Sequence, residues 1–205
     1  MLHKSLLGLL LAPFLVLLAG CCANNPCDCN DSLADSLFFA FDKSTFSPTE
    51  LDTVYVSRTV RPSLSNPNPS SVPETLPLPW KSRVPTTLTA QINFNKQDTT
   101  GLVVISNNAP FSQSSTSTNL SGYNYTFRIQ KDAPKGTPVS YYTYVVSNIT
   151  LVGSYLADGC CTCYRNSRKL ATVTGGSNTG LNLTVTDSLA NSSGRRIPRV
   201  ITLRK

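Results

Sequence analysis

The chain has 205 residues, with 18 Lys and Arg against 11 Asp and Glu, a net charge of +7, and one histidine, His3. Beyond that N-terminal position there is no imidazole for serine–histidine or cysteine–histidine nucleophiles, for a histidine general base, or for histidine-containing zinc or copper sites. No G-x-S-x-G elbow, G-x-x-x-x-G-K-[ST] loop or S-x-x-K pair occurs either.

Met1–Lys4 is short and basic, Leu6–Leu18 is apolar apart from Gly8 and Pro13, and the small residues Ala19 and Gly20 precede Cys21. This pattern predicts a secretory signal over residues 1–20. The apolar run is too short to span a bilayer comfortably, which takes about 20 residues. Leu18-Ala19-Gly20-Cys21 resembles the lipobox of bacterial lipoproteins. The resemblance implies that the Cys21 thiol carries a diacylglyceryl group, that cleavage makes Cys21 the first residue, and that its amine is acylated, commonly with palmitate. Each buried methylene contributes about 0.8 kcal/mol, and two or more chains suffice for stable anchoring. The implied location is the cell envelope, at the outer membrane with the leaflet open, where nucleic acid is not an expected partner.

Residues 21–36 read as a cysteine-rich stalk. Cys22, Cys27 and Cys29 lie here, and Cys160, Cys161 and Cys163 follow some 130 residues later. Six cysteines in an oxidising compartment predict disulfides. Fifteen pairings are open. In an extended chain, residues two apart face one side, so Cys27 with Cys29 and Cys161 with Cys163 can form paired rungs, leaving Cys22 for Cys160. The rival is a thiolate cluster holding zinc or copper(I); Cys22, Cys27 and Cys29 lack the C-x-x-C spacing usual for zinc, which occurs once, between Cys160 and Cys163. No metal or other cofactor is expected.

Residues 37–205 are expected to form a single β domain. The apolar run Leu37–Phe41 predicts a first strand, and the β-branched stretch Glu50–Val60 a second. Residues 62–85 hold seven of the 14 prolines and Trp80, the lone tryptophan. So many prolines exclude a helix or central strand, which predicts a surface loop or a strap pinned by Trp80. The alternative role for Trp80 is a binding platform for sugar rings. Alternation of period two then appears at 87–95, 123–130 and 181–186, with further strands at 101–106, 140–155, 168–173 and 199–204. Turn residues separate them, and no sustained 3.6-residue period occurs. The expected fold is all-β, an antiparallel β-sandwich, immunoglobulin-like in the loose sense, with a β-barrel as the alternative.

Six of the 11 acids precede residue 53, whereas eight basic residues and one acid lie from Arg165 onward. Either the two ends of the chain lie side by side and complement each other, or a basic face meets anionic headgroups or polysaccharide. Asp-Ser/Thr followed by an aliphatic residue or Thr recurs at Ser32, Ser36, Thr53, Thr99 and Ser188. That triplet resembles the acceptor motif for O-glycosylation of exported Bacteroidota proteins, which implies sugar at those five hydroxyls; turn and strand-start chemistry is the plainer account. With its cysteine-rich start, E-L-D-T-V-Y strand and C-C-T-C-Y-R-N segment, the chain is similar in style to uncharacterised envelope lipoproteins of those bacteria, which implies no activity. The expectation is a non-catalytic binding or structural module. Its partners are the membrane, through the lipid, and envelope polysaccharide or another envelope protein. The alternatives are a cysteine-based metal or redox protein and a histidine-free carbohydrate-active enzyme with a carboxylate pair.

Overall fold

The structure, a computed structural model, describes residues 34–62, 67, 72–80, 101–111, 119–158, 161–177, 181–185 and 199–205. The described residues form nine strands: β1 (Leu37–Phe41), β2 (Thr53–Val60), β3 (Glu74–Pro79), β4 (Val103–Ile105), β5 (Tyr123–Gln130), β6 (Tyr141–Asp158), β7 (Cys161–Thr174), β8 (Leu181–Val185) and β9 (Val200–Leu203). They make two sheets, β4-β1-β9 and β3-β2-β5-β6-β7-β8. The sheets pack face to face as an open β-sandwich, as the alternation predicts. The predicted strand at 87–95 lies outside the described residues.

The alternation in β5 sets one face of the large sheet. Tyr123, Tyr125, Phe127 and Ile129 are buried, while Arg128 and Gln130 are exposed. Val54 and Val56 of β2 and Tyr144 and Val146 of β6 join that buried face. The facing wall comes from Leu37, Phe39 and Phe41 of β1, with Val103, Ile105, Ile201 and Leu203. Phe127 sits where the sheets meet, its ring centroid 4.8 Å from Phe39 and 6.3 Å from Phe41. β1 is unbroken in hydrophobicity because its other face is covered too: Phe38, Leu102 and Val104 form a second buried cluster. A strand buried on both faces needs no polar alternation.

Two arrangements depart from the sequence reading. Most ladders are antiparallel, but β1 and β9 run parallel, with Phe39 opposite Ile201. This puts the two ends of the domain side by side. Arg204 Nε is 3.0 Å from Asp42, and Lys205 Nζ is 2.6 Å from Glu50. The acid-rich start and basic end therefore do complement each other. The second departure is in the proline-rich segment, where Glu74–Pro79 is a strand rather than a loop. It pairs with β2 at the edge of the large sheet. Trp80 N–H points toward β2, donating to the Asp52 carbonyl at 2.7 Å. By the two-residue alternation, Pro77 and Pro79 then direct their nitrogens outward, where no ladder bond is lost.

β6 and β7 are much longer than their neighbours. β5 reaches β6 only between Tyr141 and Val146, and β8 reaches β7 only between Lys169 and Val173. Beyond that, the two strands continue to the Asp158–Cys161 pair as a ribbon, with register irregularities between Ser147 and Thr150 and between Val152 and Gly153.

Candidate binding cleft beside Trp80

The segment between β1 and β2 is shaped by short polar turns. Asp42 Oδ1 accepts from the backbone N–H of Ser44 at 2.9 Å and from its hydroxyl at 2.6 Å. Five residues after Asp42, Ser47-Pro48-Thr49-Glu50 closes a reciprocal pair of bonds. Ser47 N–H donates to Glu50 Oε2 at 2.9 Å, and Glu50 N–H donates to Ser47 Oγ at 3.1 Å. This is the capping-box exchange of S-x-x-E, here holding a turn. It turns Phe46, Pro48 and Leu51 toward the end of β3.

Those residues, with Lys43, Asp52, Pro79 and Trp80, line a cleft of about 430 Å³. That falls within the size range of small-molecule sites, roughly 300–1,000 Å³. Its walls are mostly apolar, and Lys43 and Asp52 supply opposite charges. Trp80 is half-buried. It packs against the main core and also faces the cleft. Lys43 Nζ lies 5.2 Å from the centroid of its ring. Gly101, with φ +81°, supports the indole: a Cβ there would fall 2.4 Å from two atoms of the six-membered ring.

Behind the cleft, the charges are engaged. Burial pushes the Glu50 carboxyl up, but hydrogen bonds from Lys205 and from the N–H groups of Ser47 and Asp132 outweigh it and hold Glu50 below its ordinary value. Asp132 is also held low, by the hydroxyls of Ser47 and Thr49. Asp42 is lowered chiefly by the Ser44 hydroxyl and N–H, with Arg204 contributing. Glu50 raises Lys205 in return, chiefly through their hydrogen bond. Lys205 also lies over Phe46, 5.2 Å from its ring centroid, which ties the cleft wall to the end of the chain.

No family model, no curated protein and no solved structure matches this chain. The site therefore has to be read from its own residues. Trp80, singled out as a platform or a pin, packs against the core and lines the cleft. Lys43 and Asp52 escaped sequence reasoning, and nothing in their local sequence marks them. Ser47-Pro48-Thr49-Glu50 did carry a signal, a capping box with proline in the position after the cap.

The other candidates lie elsewhere. Cys163 is buried and disulfide-bonded. Cys161 opens β7. Cys21, Cys22, Cys27, Cys29 and Cys160 lie outside the described residues, as do Ser32, Thr99 and Ser188. Thr53 is half-buried in β2, opposite Pro79. Ser36 requires a correction. It is 1% exposed, with its carbonyl accepting from Lys169 Nζ at 2.9 Å. A sugar on its hydroxyl has no room in the folded domain. The same packing places residues 34–36 against β7, within the domain rather than in a stalk. Among the described residues, no three His, Cys, Asp or Glu side chains cluster in a way that could hold a metal ion.

Proposed function

We propose that this chain is a lipid-anchored protein of the cell envelope whose β-sandwich is a non-catalytic binding module, with the Trp80 cleft taking a sugar ring of an envelope polysaccharide. The observation that carries the reading is the pairing of a half-buried indole with opposite charges around an apolar cleft. One face of a pyranose is rich in C–H groups and packs on apolar and aromatic surface, while its hydroxyls accept from an ammonium and donate to a carboxylate. Lys43 and Asp52 are suited to those two roles. Asp52 is the one carboxylate among the cleft's described lining residues. Glycoside hydrolysis ordinarily uses two, so the geometry favours binding over cleavage. The lipobox-like Leu18–Cys21 and the buried, bonded Cys163 suit an exported chain held at a membrane.

Trp80 is the only tryptophan in the chain, so emission excited selectively at the indole reports on this cleft. Titration with neutral and N-acetylated oligosaccharides of envelope polysaccharides is expected to give a saturable change in emission with at least one of them. Calorimetry is expected to show that binding lost in Trp80→Ala and weakened in Asp52→Asn. Saturable binding that is unchanged in both variants rejects the cleft, and no binding to any oligosaccharide rejects the ligand class. For the anchor, the native chain is expected to fractionate with membranes and Cys21→Ser to be released.

A further inference from the structure

We propose that the outer face of the large sheet is a second binding site, where Tyr55, Arg128 and Tyr141 take a uronate residue of an acidic polysaccharide. None of the three lines the Trp80 cleft, and the inference stands whether or not that cleft takes a sugar.

The site follows from strand register. Val54, Val56, Phe127, Ile129 and Tyr144 point into the core, so by the two-residue alternation Tyr55, Arg128 and Tyr141 point the other way. Tyr55 stands directly opposite Arg128 across the β2–β5 ladder, and Arg128 stands opposite Thr143 across the β5–β6 ladder. Tyr141, opposite Gln130, is the diagonal neighbour of Arg128. Diagonal neighbours in an antiparallel pair are within reach of long and aromatic side chains. The Arg128 guanidinium accordingly lies 4.8 Å from the centroid of the Tyr141 ring. Tyr55 meets that ring edge-on, the centroids 6.1 Å apart and the planes at 89°.

Two arginines of this sheet have aromatic support, and they differ in what else they touch. Arg58, on the inner face, lies 4.6 Å from the Phe111 ring centroid and 4.7 Å from that of Tyr123. It is 8% exposed and pairs with Glu74 at 2.7 Å. That guanidinium serves the fold. Arg128 is exposed, and among the described residues no carboxylate or other hydrogen-bond acceptor engages it. The outward positions of β2, β3, β5 and Tyr141–Val145 hold no acid, and Arg128 is their only charge. A guanidinium presents its N–H donors in a fork that matches a carboxylate bidentately. Its stack on Tyr141 orders it before a ligand arrives, which lowers the entropy lost on binding.

The surroundings select a sugar as the bearer of that carboxylate. The tyrosine rings place apolar surface beside the charge, where the C–H face of a pyranose packs. Hydroxyls surround them: Thr126 and Thr143 are neighbours of Arg128 on the same face, and Ser57 and Thr75 share a hydrogen bond of 2.8 Å at an exposed position. Apart from prolines, Val145 is the one aliphatic side chain at these outward positions, so the face lacks the apolar centre of a protein interface. The row Pro77–Tyr55–Arg128–Thr143 crosses four strands. With neighbouring strands about 4.8 Å apart it spans roughly 14 Å, room for an oligosaccharide.

Calorimetry on the full chain with oligomers of galacturonate, glucuronate and mannuronate is expected to show saturable binding of at least one. Arg128→Gln is expected to weaken it at least tenfold and Tyr141→Ala severalfold, while Trp80→Ala leaves it unchanged. The methyl ester of the same oligomer, which lacks the negative charge, is expected to bind at least tenfold more weakly. Arg128 is exposed, so Arg128→Gln is expected to keep the native melting temperature, which separates lost binding from lost folding. No saturable binding of any of the three uronates, or binding that Arg128→Gln leaves unchanged, overturns the proposal. Binding lost in Trp80→Ala but not in Arg128→Gln puts the acidic sugar in the cleft and overturns the outer site. Oligoglutamate or tripolyphosphate bound as tightly as the uronate makes this a general anion site and overturns the sugar.

Discussion

At Gly101 the backbone has φ +81°, a region that residues with a Cβ rarely adopt, and the space a Cβ would fill belongs to Trp80. Gly101→Ala is therefore expected to cost about 1–3 kcal/mol through overpacking and backbone strain. Because the indole must give way, its emission should move to the red as it meets water, and thermal melting with fluorescence detection reads both effects. Glu50 carries a pH dependence of definite sign. Its folded-state pKa lies below the ordinary 4.5, so the stability it contributes is present above 4.5 and is lost as pH falls through the lowered folded value. Glu50→Gln should flatten that part of the acid-stability curve, measured by urea midpoints between neutral pH and pH 3. Lys205, raised above 10.5 by the same contact, contributes stability present below 10.5 and lost as pH rises through its raised folded value. The two partners thus act at opposite ends of the pH scale. None of this was legible from single positions: Glu50 in sequence is one acid among several, and its partner is the last residue.

Among the described residues, β5 shows how a strand is legible when one face is wet. β5 has the predicted bounds, 123–130, because its apolar and polar residues alternate without a break. β1 was legible for a different reason, as a short continuous apolar run. β3 was not, since proline density excludes a central strand but cannot distinguish a loop from an edge. The outward nitrogens of Pro77 and Pro79 make β3 a poor template for a further strand, the protection natural edges use. Replacing both with threonine supplies two outward N–H donors at an edge where Glu74, Thr75, Pro77 and Pro79 are already exposed. The expected result is concentration-dependent self-association in sedimentation or size-exclusion runs, while the native chain shows less under the same conditions. Phe127 sets the cost of loosening one element from the other sheet. It is 0% exposed between Phe39 and Phe41, and Phe127→Ala should lose about 3–5 kcal/mol, measured by denaturant unfolding.

Over the whole molecule, alternation tells which face of a strand is buried but not which strand lies beside it. The parallel β1–β9 pair joins residues more than 160 positions apart, and only the opposite charges of the chain's two ends hinted at it. The cleft was hidden for the same reason, because 43–52 and 79–80 meet only once β2 and β3 pair. Closing the two ends against each other makes the last two residues part of the fold. Arg204 meets Asp42, its carbonyl accepts from the Tyr144 hydroxyl at 2.8 Å, and Lys205 covers Phe46 while pairing with Glu50. Removing Arg204 and Lys205 leaves Glu50, 4% exposed, without its cation, and leaves the Tyr144 hydroxyl without its acceptor. A lost partner in a buried site costs about 1–3 kcal/mol, so the shortened chain should melt at lower temperature. Two features separate this from simple fraying of β9. The deficit should shrink as pH falls through the lowered folded value of Glu50, below which the carboxyl is protonated in either chain. Trp80 emission should also change, because Phe46 shares the cleft wall with the indole. A deficit that is constant with pH, with Trp80 emission unaltered, would mean that the ends meet without supporting the cleft.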